Sequence, residues 1–202
     1  MILVDNRWIK RIKSFYTLLF PPFCLNCGRE GDYVCDRCAI FLIELENRSK
    51  TNRPLKNKQG QLLIDQCLTV WENNVFFRKI RDVIYSQKSY HIVKFLSEKA
   101  LKIFIDNSDL KYFWSIWFDP STKIMAVNSP EESKRNLPLA EIIIDRFIEL
   151  TNRSVNLMEM SNQKNIILVS FSWHEGLLSA AKTLKNKNHN IIWVLVLSGE
   201  PC

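Results

Sequence analysis

The sequence predicts an α/β fold, a parallel sheet flanked by helices, preceded by a small cysteine-rich ribbon. Three observations carry that expectation. The apolar runs "KIMAV", "VNLMEM", "NIILVSF" and "NIIWVLVLS" alternate with "LPLAEIIIDRFIEL" and "EGLLSAAKTLK", which have helical periodicity. Strands alternating with helices imply a parallel sheet covered on both faces. Four of the six cysteines fall in "CLNCGREGDYVCDRC". Finally, 202 residues with 47% hydrophobic content are enough for one ordinary domain plus a small module.

Taken in order, Asn6 can cap an amphipathic helix in which Ile9, Ile12, Tyr16 and Leu19 share one face and Lys10, Arg11 and Lys13 another, until Pro21 and Pro22 end it. The basic residues interrupt the apolar run and no small-residue cleavage site follows, so an export signal is not expected. No segment reaches the roughly 18 apolar residues of a membrane span, and a cytoplasmic location is expected. Asp36 to Glu46 reads as a short helix. The polar, basic stretch 48–61 reads as a linker between an N-terminal module, 1–47, and an α/β domain, 62–202. Phe77, Ile80, Val83 and Ile84, and then Ile92, Phe95, Leu96, Ile103 and Phe104, mark two helices before the first of the strands named above. Trp114, Trp117 and Trp193 lie in apolar runs and are expected in the core. Trp71 and Trp173 are core candidates too, with an exposed stacking role as the minority alternative.

Cys24 and Cys27, then Cys35 and Cys38, form two C-x-x-C knuckles separated by seven residues. Each knuckle can aim two thiolates at one ion, and Gly28 allows the turn towards the sulfurs, so the expected cofactor is one structural zinc in a closed all-thiolate site. Redox chemistry is the rival for such pairs. Cys67 and Cys202 have no neighbour at ligand spacing and read as a buried apolar thiol and a tail residue.

The stretch "ILVSFSWHEGLLSAAKTL", residues 167–184, has the outline of a phosphate cradle, in which a strand delivers a loop to a helix N-terminus. Its chemistry is thin. The loop has no aspartate, and Glu175 beside Gly176 would repel a phosphate there. His174 reads as a solvent-facing loop residue.

With these features in order, "LLFPPFCLNCG", "VCDRC", "IRDVIYSQKSY" and "ILVSFSWHEGLLSAAKTL" together resemble the ComF family of competence proteins, which join a zinc ribbon to a type I phosphoribosyltransferase-like domain. The resemblance implies a site for phosphoribosyl pyrophosphate with magnesium, on a loop that in the family reads approximately Val-Asp-Asp-Val-x-Thr-Thr-Gly. Here Val169 and Gly176 keep their places, but Ser170 and Phe171 replace the aspartates, and His174 and Glu175 replace the threonines. In "SKRNLPLAEII" Arg135 survives of an Arg-Gly-Phe-Asn-Gln-Ala stretch, while Asn136, Leu137, Pro138 and Leu139 replace its glycine, phenylalanine, asparagine and glutamine. The degenerate loop is therefore expected to comprise Ser170, His174, Glu175, Gly176 and Arg135, with no catalytic residue. Restoring the family's residues at 170, 171 and 175 is expected to recover affinity.

A net charge of +7, from 28 basic against 21 acidic residues, suits an anionic partner, although an ordinary basic surface explains it equally well. The expectation is a non-catalytic binding protein in DNA uptake or handling, with single-stranded DNA or competence-machinery proteins as partners. The alternative is a phosphoribosyltransferase with a rearranged site.

Overall fold

In the computed structural model, which describes residues 21–39, 55–56, 62–106, 111–152, 165–187 and 191–199, the apolar runs form the parallel sheet that their composition demands. The chain divides into two compact units, Met1–Glu44 and Leu45–Cys202. The elements of the second are β1 (Leu55–Lys56), β2 (Leu62–Ile64), β3 (Gln66–Glu72), α1 (Val75–Gln87), α2 (Tyr90–Asp106), α3 (Lys111–Trp117), β4 (Thr122–Ala126), α4 (Pro130–Lys134), α5 (Leu139–Thr151), β5 (Asn165–Ser172), α6 (Glu175–Lys185) and β6 (Ile191–Gly199). Strands β3, β6, β5 and β4 lie side by side in that order, all parallel, and β1 and β2 form a separate antiparallel pair. In register, Leu168 of β5 stands between Met125 of β4 and Val194 of β6.

Both faces of the central strands are apolar, so both must be covered. Ile166 and Leu168 of β5 and Ile192, Val194 and Val196 of β6 point to one face, where they form a cluster with Leu177 and Ala181 of α6 and Ile64 of β2. The alternate residues Ile167, Val169, Phe171, Trp193 and Leu195 are equally buried. They meet aromatic partners on the other face: Phe113 of α3 lies 5.6 Å from Trp193 and Phe77 of α1 lies 5.7 Å from Phe171, centroid to centroid. Phe147 of α5 joins the same layer beside Phe104 of α2 and Trp117 of α3. Each such aromatic pair adds about 0.5–1.5 kcal/mol beyond its area burial.

Polar side chains fix the ends of the elements. Asn74 caps α1 by accepting from the Phe77 N–H at 2.7 Å. Asp65, in the turn between β2 and β3, accepts from the Ile192 N–H at 2.7 Å and from Lys185 Nζ at 3.0 Å, tying β6 and α6 to the start of the sheet.

The expected strands at "KIMAV", "NIILVSF" and "NIIWVLVLS" and the helices α1, α2, α5 and α6 are present. Strand β3 and helix α3 are additional elements, and β1 lies inside the stretch read as a linker. Cys67 is fully buried as expected, but it is disulfide-bonded rather than a free thiol. Trp71, Trp117 and Trp193 are fully buried, so Trp71 is no stacking platform. The helix expected from Asn6, the strand "VNLMEM" and most of 48–61 lie outside the described residues. Among the described residues no helix is long and apolar enough to cross a membrane.

Candidate metal centre and strand-end crevice

In the N-terminal unit, Pro22 and Arg29–Tyr33 fold back on each other around the first knuckle. Gly31 N–H donates to Pro22 C=O at 2.9 Å, Leu25 N–H to Tyr33 C=O at 3.0 Å, and Phe23 bridges Glu30. Gly28 takes φ +70° and donates to Cys24 C=O at 2.8 Å, a turn in the left-handed region that glycine enters freely. The second knuckle opens a helical turn, with the N–H groups of Cys38 and Ala39 both donating to Cys35 C=O at 2.8 Å.

These turns bring the four cysteine sulfurs within 4.8 Å of one another, with Cys27 and Cys35 3.5 Å apart. Thiolates bound tetrahedrally at about 2.3 Å from an ion stand roughly 3.8 Å from each other, so the donor set fits a single metal ion. Cys24, Cys35 and Cys38 are buried and Cys27 is exposed. Burial raises the Cys24 thiol's pKa, but backbone N–H donors from Cys35, Cys27 and Asn26 outweigh it and hold the thiol at about 6. Cys38 accepts from Asn26 Nδ2 at 3.4 Å, yet burial and the three neighbouring thiols push it up to about 12. An ion entering this set must therefore displace protons.

In the second unit, the connection after β4 runs to α4 and α5 on the Trp193 face, while the connection after β5 runs directly into α6 on the opposite face. Adjacent parallel strands whose connections part in this way leave a crevice beyond their carboxyl ends, the usual ligand position in such sheets. The structure places Ser170, His174 and Gly176 at this crevice, with the half-buried His174 ring turned into it. Ser170 is fully buried, and its Oγ donates to Ser172 C=O at 2.9 Å and lies 3.2 Å from His174 Nε2. The same Nε2 lies 3.3 Å from Val127 C=O, just past the end of β4. One ring thus bridges the ends of β4 and β5, and the expectation of a solvent-facing His174 is corrected. Apolar flanks on "VSFSWHEG" gave no sign that the ring would turn inwards.

Gly176 serves that ring: a Cβ at this position would stand 2.8 Å from His174 Nδ1. Glu175 is exposed in the first turn of α6, where the helix dipole favours a carboxylate. Arg135, at the C-cap of α4, pairs with Glu131 at 3.3 Å and lies over the Tyr85 ring at 5.7 Å, with half of its side chain exposed.

No family model and no curated protein matches this chain. Function must be argued from the site's own residues.

Those residues include a buried carboxylate that the sequence did not single out. Glu132 is completely buried; it accepts from Tyr85 Oη at 2.8 Å, from Ser172 Oγ at 3.4 Å and from the Ser129 N–H at 2.7 Å. Ser129 returns the contact by accepting from the Glu132 N–H, a reciprocal cap that starts α4. The spacing S-x-x-E was the available signal, but it reads as a surface cap. Burial, and then the Glu132 carboxylate, raise the Tyr85 pKa well above 10. Tyr85→Phe is expected to cost about 1–3 kcal/mol, because a buried carboxylate loses a donor. Folded Tyr85 keeps its proton to higher pH than the unfolded chain, whose tyrosine titrates near 10. Its contribution is therefore complete below about pH 10 and is lost as pH rises beyond it. Thermal melts between pH 7 and 11 should show that alkaline loss in the wild type and a smaller one in Tyr85→Phe; equal losses would contradict the assignment.

Proposed function

We propose that the chain is a ComF-like, zinc-stabilised binding protein whose phosphoribosyltransferase-like domain carries out no phosphoribosyl transfer, and that it acts in the cytoplasm in DNA uptake or handling, on single-stranded DNA or on competence-machinery proteins. The observation that carries the non-catalytic part is the imidazole of His174 bridging Ser170 Oγ and Val127 C=O, in the space a phosphoribosyl group would need. Transfer through an oxocarbenium-like transition state needs acceptors for the ribose hydroxyls and donors for the leaving diphosphate. Ser170 has already committed its hydroxyl to the chain, and Phe171 offers no acceptor and is buried on the other face of the sheet.

Zinc is favoured for the cysteine centre because four thiolates in a closed tetrahedron suit a borderline-soft ion and leave no open position for chemistry. DNA is favoured by the +7 charge and by the basic residues Lys10, Arg11 and Lys13 and the stretch Arg48 to Lys58.

Calorimetry with magnesium phosphoribosyl pyrophosphate is expected to show no micromolar binding; micromolar binding lost in Glu175→Ala would overturn the non-catalytic reading. Affinity for single-stranded DNA is expected to fall about tenfold or more from low to physiological salt, with little sequence preference. Unchanged affinity after charge reversal at Lys10, Arg11 and Lys13 would remove the N-terminal segment from the contact.

A further inference from the structure

A second pocket opens on the same edge of the sheet, away from the plugged crevice. It has a volume of about 230 Å³ and is lined by Asn73 just after β3, Arg81 of α1, Ser172 and Trp173 at the end of β5, and Ser198 and Gly199 at the end of β6, with Phe77 at its apolar side. Arg81 is its only charged lining residue, and among the described residues no carboxylate pairs with it. Ser198 is 3% exposed and lines the pocket.

The pocket's shape is actively held. The Trp173 N–H donates to Ser198 C=O at 2.9 Å, and a Cβ on Gly199 would lie 2.6 Å from Trp173 Cβ, so only glycine lets the ends of β5 and β6 approach this closely. The nearest buried acid, Glu132, is turned away onto Tyr85 and Ser129 and reaches the pocket only through the Ser172 hydroxyl.

We propose that this pocket binds a small phosphate, free or as the end of a phosphomonoester, with the Arg81 guanidinium as its charge partner and the Ser198 hydroxyl and Asn73 amide as neutral donors. Guanidinium paired with hydroxyl and amide donors fits a tetrahedral oxyanion, whose oxygens accept in several directions. A volume below the roughly 300–1,000 Å³ of drug-sized sites suits a small ligand. The proposal does not rest on the DNA reading above, since it uses none of Lys10, Arg11 or Lys13.

Equilibrium dialysis of the full chain against labelled inorganic phosphate tests it. The expected result is saturable binding of one phosphate per chain, weakened about tenfold or more by Arg81→Gln, partly retained by Arg81→Lys, and weakened a few-fold by Ser198→Ala. Absence of saturable binding overturns the proposal, as does equal affinity for acetate. If Arg81→Gln fails to fold, Arg81→Lys and Ser198→Ala decide, and unchanged affinity in both overturns it. Competition with oligothymidylate identifies the source. Displacement only by the 5′-phosphorylated strand supports a strand terminus, and displacement by neither strand supports a free phosphate. Equal displacement by phosphorylated and 5′-hydroxyl strands overturns the pocket in favour of diffuse charge.

Discussion

Replacing Cys35 by serine is expected to strip the bound ion from the N-terminal unit and unfold residues 21–39, while the melting transition of the α/β unit is unchanged. The reason lies in what is buried. In this stretch the buried residues are Cys24, Val34, Cys35 and Cys38, and the largest apolar side chain, Phe23, is 58% exposed. Three of the four are candidate metal donors, so almost no apolar core would remain without an ion. Structural zinc supplies about 10–16 kcal/mol of binding free energy in such small folds, and the proposed ion would have little else to supplement it here. Elemental analysis should give one zinc per wild-type chain and much less in Cys35→Ser, and limited proteolysis should cut the variant first within 21–39. Stoichiometric zinc in the variant, or a metal-free wild type with the same protection, would refute the assignment.

The exchange Ser170→Asp with Phe171→Asp, which would rebuild the family's paired aspartates, is expected to unfold the α/β unit even when combined with Glu175→Thr. From sequence alone this exchange should raise phosphoribosyl affinity, and burial reverses that expectation. Both positions are completely buried: Phe171 packs 5.7 Å from Phe77, and Ser170 is enclosed by His174 and the Ser172 carbonyl. An unpaired carboxylate in such a place costs several kcal/mol after relaxation, and losing the ring adds about 3–5 kcal/mol. Two such charges match or exceed the 5–15 kcal/mol stability of an ordinary domain. Phe171→Leu, which keeps the site apolar, should cost only about 1–2 kcal/mol and fold normally. Near-UV circular dichroism separates the cases. A native spectrum and melting point in the double aspartate variant would show that the loop has room the packing denies.

The parts legible in the sequence were those whose composition leaves little choice. β5 and β6 are nearly unbroken apolar runs, buried on both faces, and α6 follows with leucines and alanines at helical spacing. The knuckle spacing of Cys24, Cys27, Cys35 and Cys38 placed four sulfurs together before any fold was known. β3 was not legible, because "QCLTVWE" mixes polar and apolar residues without strict alternation and lies at the edge of the sheet. α3, with aromatic residues at four of its seven positions, reads as an undivided apolar run rather than a periodic one. Glu132 and Arg81 were hidden for a common reason. A charged residue in an amphipathic helix reads as solvated surface, and only tertiary packing turns one into a buried acceptor and leaves the other lining a pocket.

The ring of His174 has a consequence for any ligand that approaches the crevice. It is an occupant supplied by the chain, fixed at one end of its loop and touching both strand ends. Tethering keeps its effective concentration at millimolar levels or above, however dilute the protein. A dissolved competitor has to arrive from bulk solution, lose its own freedom of motion and displace contacts that are already formed. The crevice therefore behaves as a lock shipped with its key broken off inside: swinging the imidazole out would forfeit its contacts to the Ser170 hydroxyl and the Val127 carbonyl, while Ser170 stays bonded to the Ser172 carbonyl.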